Sequence, residues 1–382
     1  MTQRFLSTVF MRGGTSKGLF FHAKDLPADR AAQDAIFLAA LGSPDPYGRQ
    51  LDGMGGGISS LSKAVIIGPP THPDADVDYT FAQVSVDRPE VDWSGNCGNL
   101  SSAVGPFAVD EGLVKVADGE ALIRIHQTNT KKIMQARFPV QGGRAVVSGD
   151  FVLPGVAGTG ARIRVDILDP GGSVTGRLLP TDQVTEELVV GNRVFRVSLV
   201  DAAKPAVFLD ARDLGLTAME SPDAIEADPA RMALLDAIRR AAGVAMGLAA
   251  TPEAVPLANP GVAVVAAPAP YKALDGREWA ADTHDLAIRM ISMERAHRAV
   301  PLTGGFCAAV AAHIPGTILH ALARPGRPSG ELRLATPSGV LTLVADVVPQ
   351  GTNWHAASAG VFRTARRLMQ GQVAVPEAAF AK

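Results

Sequence analysis

The chain has 382 residues and a formal net charge of −2, with 47% hydrophobic, 19% charged and 5% aromatic residues. That balance describes a folded chain and excludes a disordered one. The absence of a long Lys/Arg run and the few aromatics also exclude a nucleic-acid binder, which needs clustered positive charge or a base-stacking surface.

So long a chain exceeds what one core usually holds, and two domains are expected. Residues 5–11 read as a strand running into Arg12-Gly13-Gly14-Thr15-Ser16-Lys17-Gly18, and 19–21 as the next strand. Glycines there permit close backbone approach, so Thr15 and Ser16 either cradle an anion or sit in a plain hairpin turn. The spacing is not that of a P-loop. Residues 28–41 read as a helix, ended by Gly42-Ser43-Pro44-Asp45-Pro46-Tyr47-Gly48. A Gly/Ser-rich block, 52–63, then feeds the strand 64–67, with Lys63 at the junction. Its ammonium is either solvated or partly desolvated in a cleft, where a lowered pKa makes it usable as a base.

Asp74, Asp76 and Asp78 read as a solvated turn before the strand 80–86. They lack the glycine and terminal glutamate of a calcium loop. Residues 91–104 carry the densest chemistry. A Gly/Ser/Asn turn delivers Cys97 to the start of an apolar helix, expected over 100–113. At a helix N-terminus, free N–H groups favour a thiolate or hold a carboxylate. The bland alternative is a buried structural cysteine. Strands are expected at 121–126, 133–138 and 163–167, with loops at 154–160 and 169–172.

The second half follows the same plan. Strands are expected at 187–190, 193–200, 206–210 and 262–267, with a helix over 231–246. Leu302-Thr303-Gly304-Gly305-Phe306-Cys307 opens another apolar helix, ended near Pro315-Gly316, and strands 331–334, 341–348 and 373–375 finish the sheets. The stretches 98–104 and 304–310 both read as a glycine turn entering a small-residue helix, a short internal repeat that places two helix N-termini at one cleft. The uncharged run 299–323 is broken by Pro301, Gly304, Gly305, His313, Pro315 and His320, which excludes a membrane span of about 20 apolar residues. The N-terminus lacks the apolar core of a signal peptide, and the two cysteines, Cys97 and Cys307, show no CxxC or metal-ligand spacing. A cytoplasmic protein without a metal is expected.

The motifs MRGGTSKG, GSPDPYG, DGMGGGISSLSK, VDWSGNCGN and RTARRLM together resemble the PrpF family, from residue 11 to about residue 370. That family includes 2-methylaconitate cis-trans isomerase, 4-oxalomesaconate tautomerase and methylitaconate Δ-isomerase. The resemblance implies an α+β, diaminopimelate epimerase-like fold. Its two pseudo-symmetric domains are each a barrel-like, mostly antiparallel sheet around a central helix, here 1–178 and 179–382, and the last strand can return to the first domain. It further implies a cofactor-independent isomerase that moves a proton in a small unsaturated di- or tricarboxylate, and it leaves a homodimer open. Lys63 and Cys97 fall on the family's acid/base pair, with the order of action open. Thr15, Ser16, Gly98, Asn99, Leu100, Thr303 and Gly304 are the expected carboxylate ligands. Ser292 and His297, in a further family block, either border the site or serve structure. The rival readings are an amino-acid racemase, which needs a second thiol near Leu302–Thr303, and a carboxylate-binding accessory protein without turnover.

Overall fold

The computed structural model describes residues 2–380 apart from 293, 327 and 329. The chain divides into two units, Met1–Ile167 with Phe362–Lys382, and Leu168–Val361.

In the first unit, β1 (Gln3–Gly13) pairs antiparallel with both β2 (Ser16–His22) and the returning strand Ala365–Pro376. Strand β2 lies parallel to β3 (Lys63–Gly68), and the crossover between them is α1 (Arg30–Leu41). Strand β3 is antiparallel to β4 (Val77–Val84), which runs parallel to β5 (Gly119–Gln127) across the second crossover helix, α2 (Ser101–Asp110). Antiparallel β6 (Lys132–Gln141) and β7 (Ile163–Leu168) complete the order.

Side chains alternate along a strand, so each strand here serves two cores. Val9, Met11, Phe20, Val65 and Ile67 pack with α2, whereas Phe10, Leu19, Phe21, Ala64 and Ile66 pack with α1. Lys63 shares the parity of Val65 and Ile67 and therefore stands on the α2 side. Helix α2 is apolar all round, and every residue from Ser101 to Val109 is buried, as a helix enclosed by its sheet requires. Gly105 is needed where α2 meets β6, because a Cβ there would lie 2.6 Å from Cε1 of Phe138.

Helix α1 begins two residues later than its apolar spacing predicts. Asp29 acts as N-cap, its carboxylate accepting from the Ala32 amide at 2.8 Å, and Gly42 closes the helix at φ 75°. Helix α2 stops at Asp110 rather than at 113, and Gly112 turns the chain at φ 69°. Asp78 is not part of a solvated turn. It lies within β4, buried, and bonds Nδ1 of His126 at 2.9 Å and the Thr71 hydroxyl at 2.7 Å.

The second unit comprises β8 (Glu186–Val190), β9 (Arg193–Asp201), β10 (Pro205–Asp210), β11 (Gly261–Ala266), β12 (Leu286–Ser292), β13 (Glu331–Thr336), β14 (Gly339–Gln350) and most of β15 (Asn353–Arg363). Its crossover helices are α3 (Pro229–Ala245) between β10 and β11, and α4 (Leu302–Ala312) between β12 and β13. Successive pairings run antiparallel, antiparallel, parallel, antiparallel, parallel, antiparallel, antiparallel. The first unit, read from its returning strand to β7, has the same series, so the two units are topological repeats. This is an α+β arrangement, in each unit a mostly antiparallel sheet with crossover helices packed on it. Among the described residues no helix is long and apolar enough to cross a membrane.

Candidate active site

Lys63 opens β3 and is 7% exposed. Its Nζ donates to Oε1 of Gln83, its register partner on β4, and stands 4.9 Å from the centroid of Phe81. The Gln83 amide is held by donation from Nε2 to the carbonyls of Ser59 (3.0 Å) and Ser62 (2.9 Å), which leaves Oε1 for the ammonium. Among the described residues Lys63 has no carboxylate partner. Burial pulls its pKa below the ordinary lysine value, and Cys97, when ionised, pulls it partly back. Lys63 and Cys97 are thus within electrostatic reach of each other.

Cys97 precedes α2 and is 8% exposed. Its carbonyl accepts from the Ser101 amide at 3.0 Å, the Ser101 hydroxyl at 2.9 Å and the Tyr79 hydroxyl at 3.4 Å. With the backbone so pinned, Sγ is presented to the Leu100 amide, which donates to it at 3.5 Å. Leu100 is the N-cap of α2, and the first turn carries no acidic residue, so the helix dipole at this end is not neutralised by a side chain. The Ser16 hydroxyl lies 4.0 Å from Sγ.

The β1–β2 turn comes against the same place. Gly14 adopts φ 53°, and a Cβ there would sit 2.3 Å from Oδ1 of Asn99, so only glycine lets the turn approach. Asn99 donates from Nδ2 to the exposed Thr15 hydroxyl at 3.1 Å. Its Oδ1 accepts from Nε of Arg363 at 3.1 Å. Thr15, Ser16, Lys63, Cys97, Asn99 and Leu100 therefore belong to one cluster in the first unit, with Gly98 in the turn between. Gln83 and Arg363 belong to it too, and the chain reading misses both. For Arg363 the available signal is a charge closing an otherwise apolar strand end, Ser358-Ala359-Gly360-Val361-Phe362.

Within the second unit, Lys204 links two of the expected residues, Ser292 and His297. Ser292 ends β12, 6% exposed, and its hydroxyl accepts from Nζ of Lys204 at 3.2 Å. The half-buried His297 donates its amide to the Met290 carbonyl at 2.8 Å. Its imidazole pKa is lowered by burial and then by Lys204, and burial lowers that of Lys204 as well. Gly304 and Gly305 are not in a turn ahead of the helix but within the first turns of α4, while Thr303 is exposed. A Cβ on Gly304 would lie 2.4 Å from the Met290 sulfur, so glycine lets α4 settle on β12. Cys307 is fully buried in α4, its thiol 3.4 Å from the Val200 carbonyl, and burial drives its pKa far up. It is a core residue. Among the described residues no group of His, Cys, Asp and Glu is placed to hold a metal ion.

A sequence profile of the family described as PrpF protein matches residues 3–376. The chain is 41% identical over 380 residues to 3-methylitaconate isomerase of Eubacterium barkeri, covering 98% of each chain. It is 39% identical over 386 residues to 2-methyl-aconitate isomerase of Shewanella oneidensis, covering 97% of each. It superposes on the crystal structure of methylitaconate-delta-isomerase with a TM-score of 0.91 at 40% identity, over 100% of this chain and 98% of the other.

Proposed function

The chain belongs to the PrpF family, and on that premise we propose that it isomerises a small unsaturated di- or tricarboxylate by shifting a proton along an allylic system. The observation that carries the reading is the pairing of a buried lysine, without a carboxylate partner among the described residues, with a thiol at the uncapped end of α2. Polycarboxylates such as methylitaconate and 2-methylaconitate are the substrate class, as the names of the relatives suggest.

One of Lys63 and Cys97 takes a proton from the carbon next to the double bond. The C–H electron pair enters the π system and its charge spreads onto a carboxylate. The other residue returns a proton, either at the far end of the allyl system, moving the double bond, or at the original carbon after rotation. Burial disfavours the ammonium form of Lys63, which favours its amine as the base, and Cys97 then serves as the acid; the substrate decides which acts first. General acid–base transfer supplies about 10²–10⁴-fold. Further stabilisation of the dienolate is assigned to the Leu100 amide, the Ser16 hydroxyl and the turn at Gly98 and Asn99, with Thr15 binding a carboxylate. Ser292, His297, Thr303 and Gly304 are assigned to carboxylate binding by the second unit, with the Lys204 charge beside them.

An amino-acid racemase is disfavoured. Residues 302–303 offer no thiol, and Cys307 is buried with its thiol form strongly preferred. The free thiols suit a reducing compartment, so a cytoplasmic location is part of the proposal. Incubation in D₂O with methylitaconate, 2-methylaconitate, trans-aconitate and 4-oxalomesaconate, followed by proton NMR, tests the reading. Conversion or deuterium entry for at least one acid is expected, and inertness toward all four contradicts it.

A further inference from the structure

Arg363 closes β15 and is 9% exposed. Nε donates to Asn99 at 3.1 Å and Nη1 to the Phe362 carbonyl at 3.0 Å, which leaves Nη2 without a protein acceptor among the described residues. Nη2 is nevertheless not one of the sealed polar atoms, so solvent reaches it. The buried arginines elsewhere have acidic company. Arg239 pairs with Asp236, and Arg289 lies in the field of Glu220. Among the described residues Arg363 has no such carboxylate; the one ionisable group that acts on it is Cys97, when ionised, and burial lowers its pKa to about 10.

A guanidinium held out of water without a carboxylate is costly, and such groups are ordinarily paired. Here the protein fixes the side chain by two neutral acceptors, on Nε and Nη1, and leaves Nη2 free. A planar fork with a free N–H pair matches a carboxylate better than an ammonium does. We propose that Arg363 is a substrate-binding residue whose free Nη2 donates to one carboxylate of the polyanion beside Cys97. The inference rests on the isomerase reading above for the identity of the anion. The bond to Asn99 makes the same side chain a brace for the turn that carries Cys97 and, through Asn99, for Thr15 on the β1–β2 turn, so the carboxylate it binds is delivered next to the thiol.

The test uses propane-1,2,3-tricarboxylate, which lacks a double bond and cannot react, titrated calorimetrically into the full-length wild type, Arg363→Lys and Arg363→Gln. Loss of a buried charge-assisted contact predicts roughly 100-fold weaker binding for Arg363→Gln, and roughly tenfold weaker for Arg363→Lys, which keeps the charge without the fork. Thermal unfolding checks that each variant is folded. If Arg363→Gln does not fold, wild-type affinity in Arg363→Lys alone overturns the proposal. Wild-type affinity in Arg363→Gln overturns it directly, as does a wild type that does not bind the tricarboxylate. Tight binding by the wild type, lost in Arg363→Gln, together with no turnover of any unsaturated acid sinks the isomerase reading and leaves this one standing.

Discussion

Replacing Lys63 by methionine separates the function of the amine from its effect on the fold. The ammonium is nearly out of water and lacks a carboxylate, and the penalty for such a group is several kcal/mol. Against it stand a cation–π contact with Phe81, worth roughly 0.5–2 kcal/mol, and the bond to Gln83, whose loss leaves a buried acceptor open at roughly 1–3 kcal/mol. The difference favours the variant by something on the order of 1 kcal/mol, a rise of about 1 °C in the unfolding midpoint at neutral pH for a chain of this length. The pH dependence has a definite sign. Lys63 has a depressed pKa when folded, so the folded state binds fewer protons than the unfolded one between that value and the ordinary 10.5. Stability of the wild type rises with pH across this window. The gap to Lys63→Met is therefore full below the folded pKa and closes as pH approaches 10.5. Thermal melts of both proteins from neutral to alkaline pH, with turnover measured in parallel, constitute the assay. A variant several degrees less stable at neutral pH, or a gap that widens on alkalinisation, refutes the electrostatic reasoning. A variant that still turns over refutes the role as base.

Iodoacetamide should label Cys97 and inactivate the protein while sparing the sealed Cys307, as peptide mass mapping would reveal; labelling of Cys307 in the folded protein contradicts the assignment of α4 as core. Gly105→Ala forces a methyl against Phe138 and should destabilise by roughly 1–3 kcal/mol in denaturant titration, with wild-type stability as the contrary result. Lys204→Met removes a charge that depresses the imidazole of His297, so the His297 pKa should rise in an NMR titration; a fall or no change breaks the proposed cluster.

Much of the fold is legible in the chain because burial imposes periodicity. The apolar stretches of α2 and β3 announce an enclosed helix and a two-faced strand, and the parity of Lys63 with Val65 and Ile67 even gives its side. Ends of elements are less legible, because they are set by single caps such as Asp29 and Gly42. Asp78 reads as solvated until β4 and β5 pair in parallel and bring His126 to it, a contact between residues distant in the chain. Arg363 is hidden for the same reason, since its partner Asn99 is remote in sequence. The internal repeat is faint in residue types, a few small residues at the starts of α2 and α4, yet the order of strand pairings repeats in full. Packing constrains pairing and polarity far more tightly than residue identity.

The most direct measurement is solvent-deuterium incorporation into a turned-over acid by Lys63→Ala and Cys97→Ser, each verified as folded. If a thiol and an amine pass the proton between them, both variants lose incorporation while the wild type shows it. Incorporation at the wild-type rate in either one means that the proton travels by another route.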